Sequence, residues 1–207
     1  MSVERLPIKG IDDIIEDLIL EGPNNLTELI QLQNHKNRII NINDVEDYLA
    51  QNIVNDIINY NKMDFYVPID SRLPIKMFIN SCGGSLPACY TIIDAIKLSK
   101  TPVLTINIGI AYSAGGVILL AGHKRYAFPH SSFLLHEGSN GFAADAGKFK
   151  DYSRFYEKQL NDSKDFVIEQ TLIDDELYEQ RRHTDWWMDA HEMLKYGIID
   201  EILTDFL

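Results

Sequence analysis

Ser113 stands in the stretch GIAYSAGG (109–116), where one hydrophobic run ends and another, VILLAG, begins. A serine at a helix start lies beside unpaired backbone N–H groups and the positive end of the helix dipole. Both stabilise an alkoxide and the oxyanion that its attack creates. Ala111, Ala114, Gly115 and Gly116 leave room there for a substrate chain. Serine is equally an ordinary helix cap, and the stretch is not a G-x-S-x-G elbow. Nucleophilic chemistry therefore needs a base, and the base needs an orienting group.

The chain has six histidines from which to choose the base. His35 and His123 fall in polar surroundings at element edges, His130 follows a proline, and His183 and His191 fall in charged helical regions. His136 ends the apolar run FLLH and enters EGSNG, so it reads as a residue at a strand end. Composition cannot choose the orienting carboxylate from 31 acidic residues. Asp185 is singled out by the WWM that follows it, an apolar wall that would strengthen a carboxylate–imidazole hydrogen bond. A second small-residue turn, FINSCGGS, places Gly83 and Gly84 between a strand and a helix. There their N–H groups could hold an oxyanion or simply close a tight turn.

These residues have to be positioned by elements. Apolar spacing predicts helices over 11–20, closed by Gly22 and Pro23, and over 26–34; up to about residue 36 the chain reads as an attachment to the core. RIINI is a short strand, followed by a helix with Val45, Leu49, Ile53, Ile57 and Ile58 on one face. Strands are expected at 76–80, 102–109, 124–128 and 132–136, and helices at 85–100, 113–121, about 145–172, 174–182 and 189–195. Gly197 ends the last helix, and IIDEIL makes a final strand. Strands alternating with helices, several lacking a polar face, imply an α/β fold with a largely parallel sheet.

With 207 residues the chain is sized for one core, and a net charge of -12 argues against nucleic acid as a partner. Cys82 and Cys89 lack the C-x-x-C spacing of a metal or redox site, and two thiols suit a reducing compartment. The acidic N-terminus does not read as a signal peptide, and no run approaches a membrane span, so the expected location is cytoplasmic.

Taken in order, RIININDVED, FINSCGG, GIAYSAGGVILLAG, YAFPHSSFLLHEG and HTDWWMDAHEMLKYGIIDEIL resemble successive blocks of the ClpP family of compartmentalised serine peptidases. The resemblance runs from about Asn37 to Leu203, with Cys82 at the proline of the family's INSPGG segment. It implies a ClpP/crotonase-like fold with repeated β-β-α units and a protruding handle helix over about 145–172. Residues 1–36 would be a divergent N-terminal segment and 37–207 the peptidase domain. It further implies Ser113 as nucleophile, His136 as base, Asp185 as third member, and the N–H groups of Gly83 and Ala114 as the oxyanion hole. No metal or cofactor is implied. The implied assembly is heptameric rings, stacked in pairs around a chamber, cleaving unfolded polypeptides supplied by an AAA+ Clp-type unfoldase.

Three features depart from the family pattern. Residues 1–36 do not resemble its axial segment, the loop DFYVPIDSRLP (64–74) is long, and His183 and Thr184 occupy the positions of an Asp-Arg pair that joins rings. They fit a divergent member of the kind a phage or prophage carries. Two other readings stand beside a peptidase: a catalytically silent structural ring subunit, and an acyl-CoA enzyme of crotonase-like fold. The resemblance places apolar Ile110, Leu134 and Met188 near the site, which implies a preference for hydrophobic residues before the scissile bond.

Overall fold

The computed structural model describes residues 26–139, 141 and 143–206. The helix expected over 11–20 and its Gly22–Pro23 stop lie outside the described residues. Two units are distinguished, with a boundary between Ile39 and Ile40. The described part of the first contains helix α1 (Leu26–Lys36), two residues longer than its apolar spacing suggested and without a buried residue.

From Ile39 onward the chain alternates strands and helices. They are β1 (Ile39–Val45), α2 (Asp47–Met63), β2 (Ile75–Gly84), α3 (Leu86–Leu98), β3 (Val103–Tyr112) and α4 (Ala114–Ala121). They continue as β4 (Lys124–Ala127), β5 (Ser132–Leu135), α5 (Ala146–Gln170), α6 (Asp175–Arg181), β6 (Trp186–Asp189), α7 (Ala190–Lys195) and β7 (Glu201–Ile202). The sheet order is β1-β2-β3-β4-β7, with β5 beside β3 and β6 beside β5. β2, β4 and β5 pair parallel to β3, β7 pairs parallel to β4, and only β5–β6 is antiparallel among the registered pairs. This is the α/β fold expected. β3 lacks a polar face because it is central, and α4 is apolar all round because all eight of its residues are buried.

The boundaries that differ from expectation concern the site. Val45 belongs to β1 and is fully buried there, rather than opening α2. β2 and β3 both run further than their apolar runs: β2 to Gly84 and β3 to Tyr112, directly before the serine. β6 was not expected. WWM reads as continuously apolar, but in the strand Trp186 and Met188 are buried while Trp187 and Asp189 are exposed.

β3 changes partner along its length, pairing Leu104–Asn107 with β4 and Ile110–Tyr112 with β5. At the same place β2 slips register, from Ile79 opposite Asn107 to Ser81 opposite Ala111. Two asparagines satisfy the backbone at this irregularity. Asn80 Oδ1 accepts from Ile110 N–H (3.2 Å), and fully buried Asn107 accepts from Gly109 N–H (3.1 Å) while donating to the Ser132 carbonyl (2.9 Å). Past this slip β3 runs beside β5, the strand that leads into His136.

The long helix α5 spans 25 residues, about 37 Å at ~1.5 Å per residue. Only Val167, near its C-terminal end, is buried, and Phe149 and Phe155 are exposed. The 64–74 loop contains one short 3-10 turn, Ile69–Ser71, and exposes Phe65, Tyr66, Ile69 and Leu73. Among the described residues no helix is long and apolar enough to cross a membrane.

Candidate active site

One residue separates the end of β3 from the start of α4, and that residue is Ser113. The abrupt turn forces it to φ 52°, ψ −125°, a conformation that L-residues rarely adopt. Its N–H donates to the Leu134 carbonyl (3.0 Å), and its carbonyl accepts from Val117 N–H (3.1 Å). Its side chain makes no helix-cap hydrogen bond, so the hydroxyl is not used as an ordinary cap. The small residues after it are a packing requirement. A Cβ on Gly116 would lie 2.8 Å from the Phe133 ring and 2.9 Å from the Ala111 carbonyl oxygen.

Gly83 lies against the serine. At φ +104°, a Cβ there would come within 2.8 Å of Ser113 Cβ, 2.9 Å of the Tyr112 carbonyl oxygen and 3.2 Å of Ala114 N. Glycine therefore permits both the backbone conformation and the contact. Ala114 is the first residue of α4, where a helix N–H has no intrahelical acceptor. The Gly83 N–H is already engaged, donating to Ser81 Oγ (3.0 Å). Gly84 is the glycine of this pair that lines the cavity beside Ser113.

His136 directly follows β5, and Asp185 directly precedes β6. Their side chains meet, with Nδ1 and Oδ1 3.3 Å apart. Nδ1 faces the carboxylate and so carries the proton in the neutral ring. That leaves the Nε2 lone pair, which is buried and has no hydrogen-bond partner among the described residues. The shielding of Asp185 expected from WWM is not found. Its side chain is 60% exposed, because strand alternation sends Trp186 into the core and Trp187 outward.

Ser113 and His136 line one cavity of about 450 Å³. Leu86, Pro87, Val117 and Leu160 supply its apolar wall, and Tyr152, Tyr156, Gln159 and Ser163 bring polar atoms from α5. Burial is the main cause raising the Tyr156 phenol above its ordinary value. Of the apolar residues expected near the site, Leu134 and Met188 are buried, and none of Ile110, Leu134 and Met188 lines this cavity.

The other histidines separate from this group. The His123 ring accepts from Val103 N–H (3.1 Å) at the foot of β3, a structural role. His183 lies just after α6, with Nδ1 3.0 Å from Glu137 Oε2, and Thr184 Oγ1 donates to the Arg181 carbonyl (2.8 Å). Cys89 is buried and donates its thiol to the Ala114 carbonyl (3.4 Å). Burial pushes that thiol up to about 12, so it stays protonated. Cys82 is exposed and lines the cavity. Among the described residues no cluster of His, Cys, Asp and Glu is arranged to hold a metal.

A strained serine at a helix start, a histidine with an oriented imidazole and a nearby glycine turn together suit acyl transfer. The Clp protease family model matches residues 24–206. The chain is 33% identical over 174 residues to the ATP-dependent Clp protease proteolytic subunit of Deinococcus radiodurans, covering 81% of each chain. It is 34% identical over 180 residues to that of Streptococcus mutans serotype c, covering 81% of this chain and 85% of the relative. To the ATP-dependent Clp protease proteolytic subunit 2 of Treponema pallidum (strain Nichols) it is 33% identical over 132 residues. That match covers 63% of this chain and 66% of the relative.

Proposed function

The chain belongs to the Clp protease family, and on that premise we propose that it is a serine endopeptidase acting through Ser113, His136 and Asp185. One observation carries the reading. The His136–Asp185 contact leaves a buried, unpartnered Nε2, and the strained Ser113 lines the same cavity.

A peptide lying extended in the cavity presents its carbonyl to Ser113 Oγ. His136 Nε2 takes the hydroxyl proton as Oγ attacks. Asp185 keeps the Nδ1–H tautomer in place and stabilises the imidazolium. The carbonyl oxygen becomes an oxyanion facing the Ala114 N–H. Gly83 was the second donor implied by the resemblance. Gly83 packs against Ser113, and its N–H, which donates to Ser81 Oγ at rest, exchanges that bond for the oxyanion. His136 returns the proton to the departing amine. Water then attacks the acyl-serine with His136 again as base, restoring the hydroxyl.

We extend the same reading to assembly. Exposed Phe149 and Phe155 on α5 are apolar surface of a kind that self-association covers. On this reading, which family membership supports, the chain forms stacked heptameric rings enclosing a chamber, is fed unfolded polypeptides by an AAA+ Clp-type unfoldase and works in the cytoplasm. A catalytically silent ring subunit is the second reading, favoured by the loose His136–Asp185 contact, 3.3 Å long with the Asp185 side chain 60% exposed. Hydrolysis of fluorogenic peptides decides between them. Ser113→Ala is expected to leave melting and assembly unchanged and to abolish turnover. Cleavage by this variant at the unmutated rate refutes the assignment.

A further inference from the structure

The β5–β6 ladder ends with Leu135 opposite Trp186. One further step in this antiparallel register sets His136 opposite Asp185. The proposed catalytic pair therefore occupies the first rung beyond the ladder, where a two-stranded end opens most readily. The pair is poorly equipped to hold itself together. Its contact is 3.3 Å long, and the side chains are 30% and 60% exposed.

The next residues close that end. Both carboxylate oxygens of Glu137 are taken, Oε1 by Arg182 Nε and Oε2 by His183 Nδ1 at 3.0 Å. Arg182 is anchored in turn, donating to Glu179 Oε1 (3.2 Å) on α6 and to Asn161 Oδ1 (3.3 Å) on α5. Glu179 also holds Lys164 of α5, whose Nζ reaches Asp175 at 2.6 Å. Arg182 and Glu137 are only 21% and 22% exposed, which limits solvent screening of their ion pair. The chain thus ties the residue after His136 to a residue three before Asp185, and ties both to the long helix.

We propose that the Glu137–Arg182 ion pair is a positioning clasp for the catalytic pair. By closing the open end of the β5–β6 ladder it holds the Asp185 carboxylate against His136 Nδ1, and it does so within one chain. Glu137 and Arg182 are positioning residues, and their catalytic consequence rests on the peptidase reading above.

The test compares Arg182→Ala and the isosteric Glu137→Gln with unmutated protein and with Arg182→Lys. It uses peptide turnover, the rate of fluorophosphonate labelling of Ser113, and the His136 Nδ1–H resonance of protein labelled with ¹⁵N-histidine. Expected are a fall in kcat of about tenfold or more with KM little changed, partial rescue by lysine, and loss or broadening of the Nδ1–H signal. In an Asp185→Asn background, Arg182→Ala is expected to slow labelling no further, because the contact it protects is already gone. Unchanged kcat in both variants, or an equal loss in the Asp185→Asn background, overturns the clasp. If the unmutated protein neither cleaves nor labels, the peptidase reading falls and the resonance alone decides. An Nδ1–H signal identical in unmutated, Arg182→Ala and Glu137→Gln proteins rejects the clasp, and its loss in the variants sustains it.

Discussion

Ser113 and Leu134 are joined by a backbone hydrogen bond, from the serine N–H to the leucine carbonyl, at 3.0 Å. This bond ties the nucleophile's turn to β5 two residues before His136. It continues the parallel β3–β5 pairing to the point where β3 gives way to α4. The proposed nucleophile and base therefore take their spacing from one strand pair. The serine side chain contributes nothing to that backbone bond, so Ser113→Ala is a clean probe of the chemistry.

Gly83→Ala is expected to damage fold and activity together. The new Cβ meets Ser113 Cβ at 2.8 Å and the Tyr112 carbonyl at 2.9 Å, on a backbone at φ +104°. The conformational strain alone costs about 1–3 kcal/mol. Denaturant unfolding reads the stability loss, and peptide turnover reads a fall of more than ~100-fold if Ser113 is displaced by about an ångström. A variant that is as stable and active as the unmutated protein would show that this close approach is not required.

Asp185→Asn tests the orienting role. The amide can donate to His136 Nδ1 and so favour the wrong tautomer. Turnover is expected to fall by about four orders of magnitude while the fold persists, since the side chain is 60% exposed. Loss of less than about tenfold would leave Asp185 without the proposed part.

The two cysteines should respond differently to alkylation. Iodoacetamide at pH 8 is expected to modify exposed Cys82 in the native protein and to spare Cys89, whose burial pushes its thiol up to about 12. Because Cys82 lines the cavity, its modification is expected to slow peptide cleavage. Intact mass reads one adduct in native protein and two in denaturant. Two adducts without denaturant, or one adduct with full activity, would contradict the placement.

His123 links stability to pH. Burial lowers its pKa, the nearby Lys97 charge adds to the shift, and Val103 N–H requires the neutral ring nitrogen as acceptor. The folded form thus binds a proton less readily than the unfolded chain. The contribution is full above about pH 6.5, the ordinary imidazole value, and is lost as pH falls below it. Melting measured from pH 7.5 to 5 should fall more steeply for the unmutated protein than for His123→Gln. Parallel curves would exclude this contribution.

Much of the core was legible because central strands and α4 are apolar on every side, as with VILLA of Val117–Ala121. Ser113 and His136 stood out as polar residues at the ends of such runs. β6 did not, because Trp187 is as apolar in sequence as its neighbours and only the strand's alternation exposes it. Asn80 and Asn107 were equally hidden. Their value lies in satisfying a register slip between two strands, and no local spacing encodes that. The clasp depends on Glu137 meeting Arg182 across 45 positions, a contact created by the strand pairing that brings His136 to Asp185.

The most direct measurement is reaction of the intact chain with a fluorophosphonate, read by mass. The proposal that Ser113 is an activated nucleophile predicts one covalent adduct per chain, located at Ser113 and absent from Ser113→Ala. Unmutated protein that stays unlabelled, or a Ser113→Ala variant that is labelled equally, would contradict it.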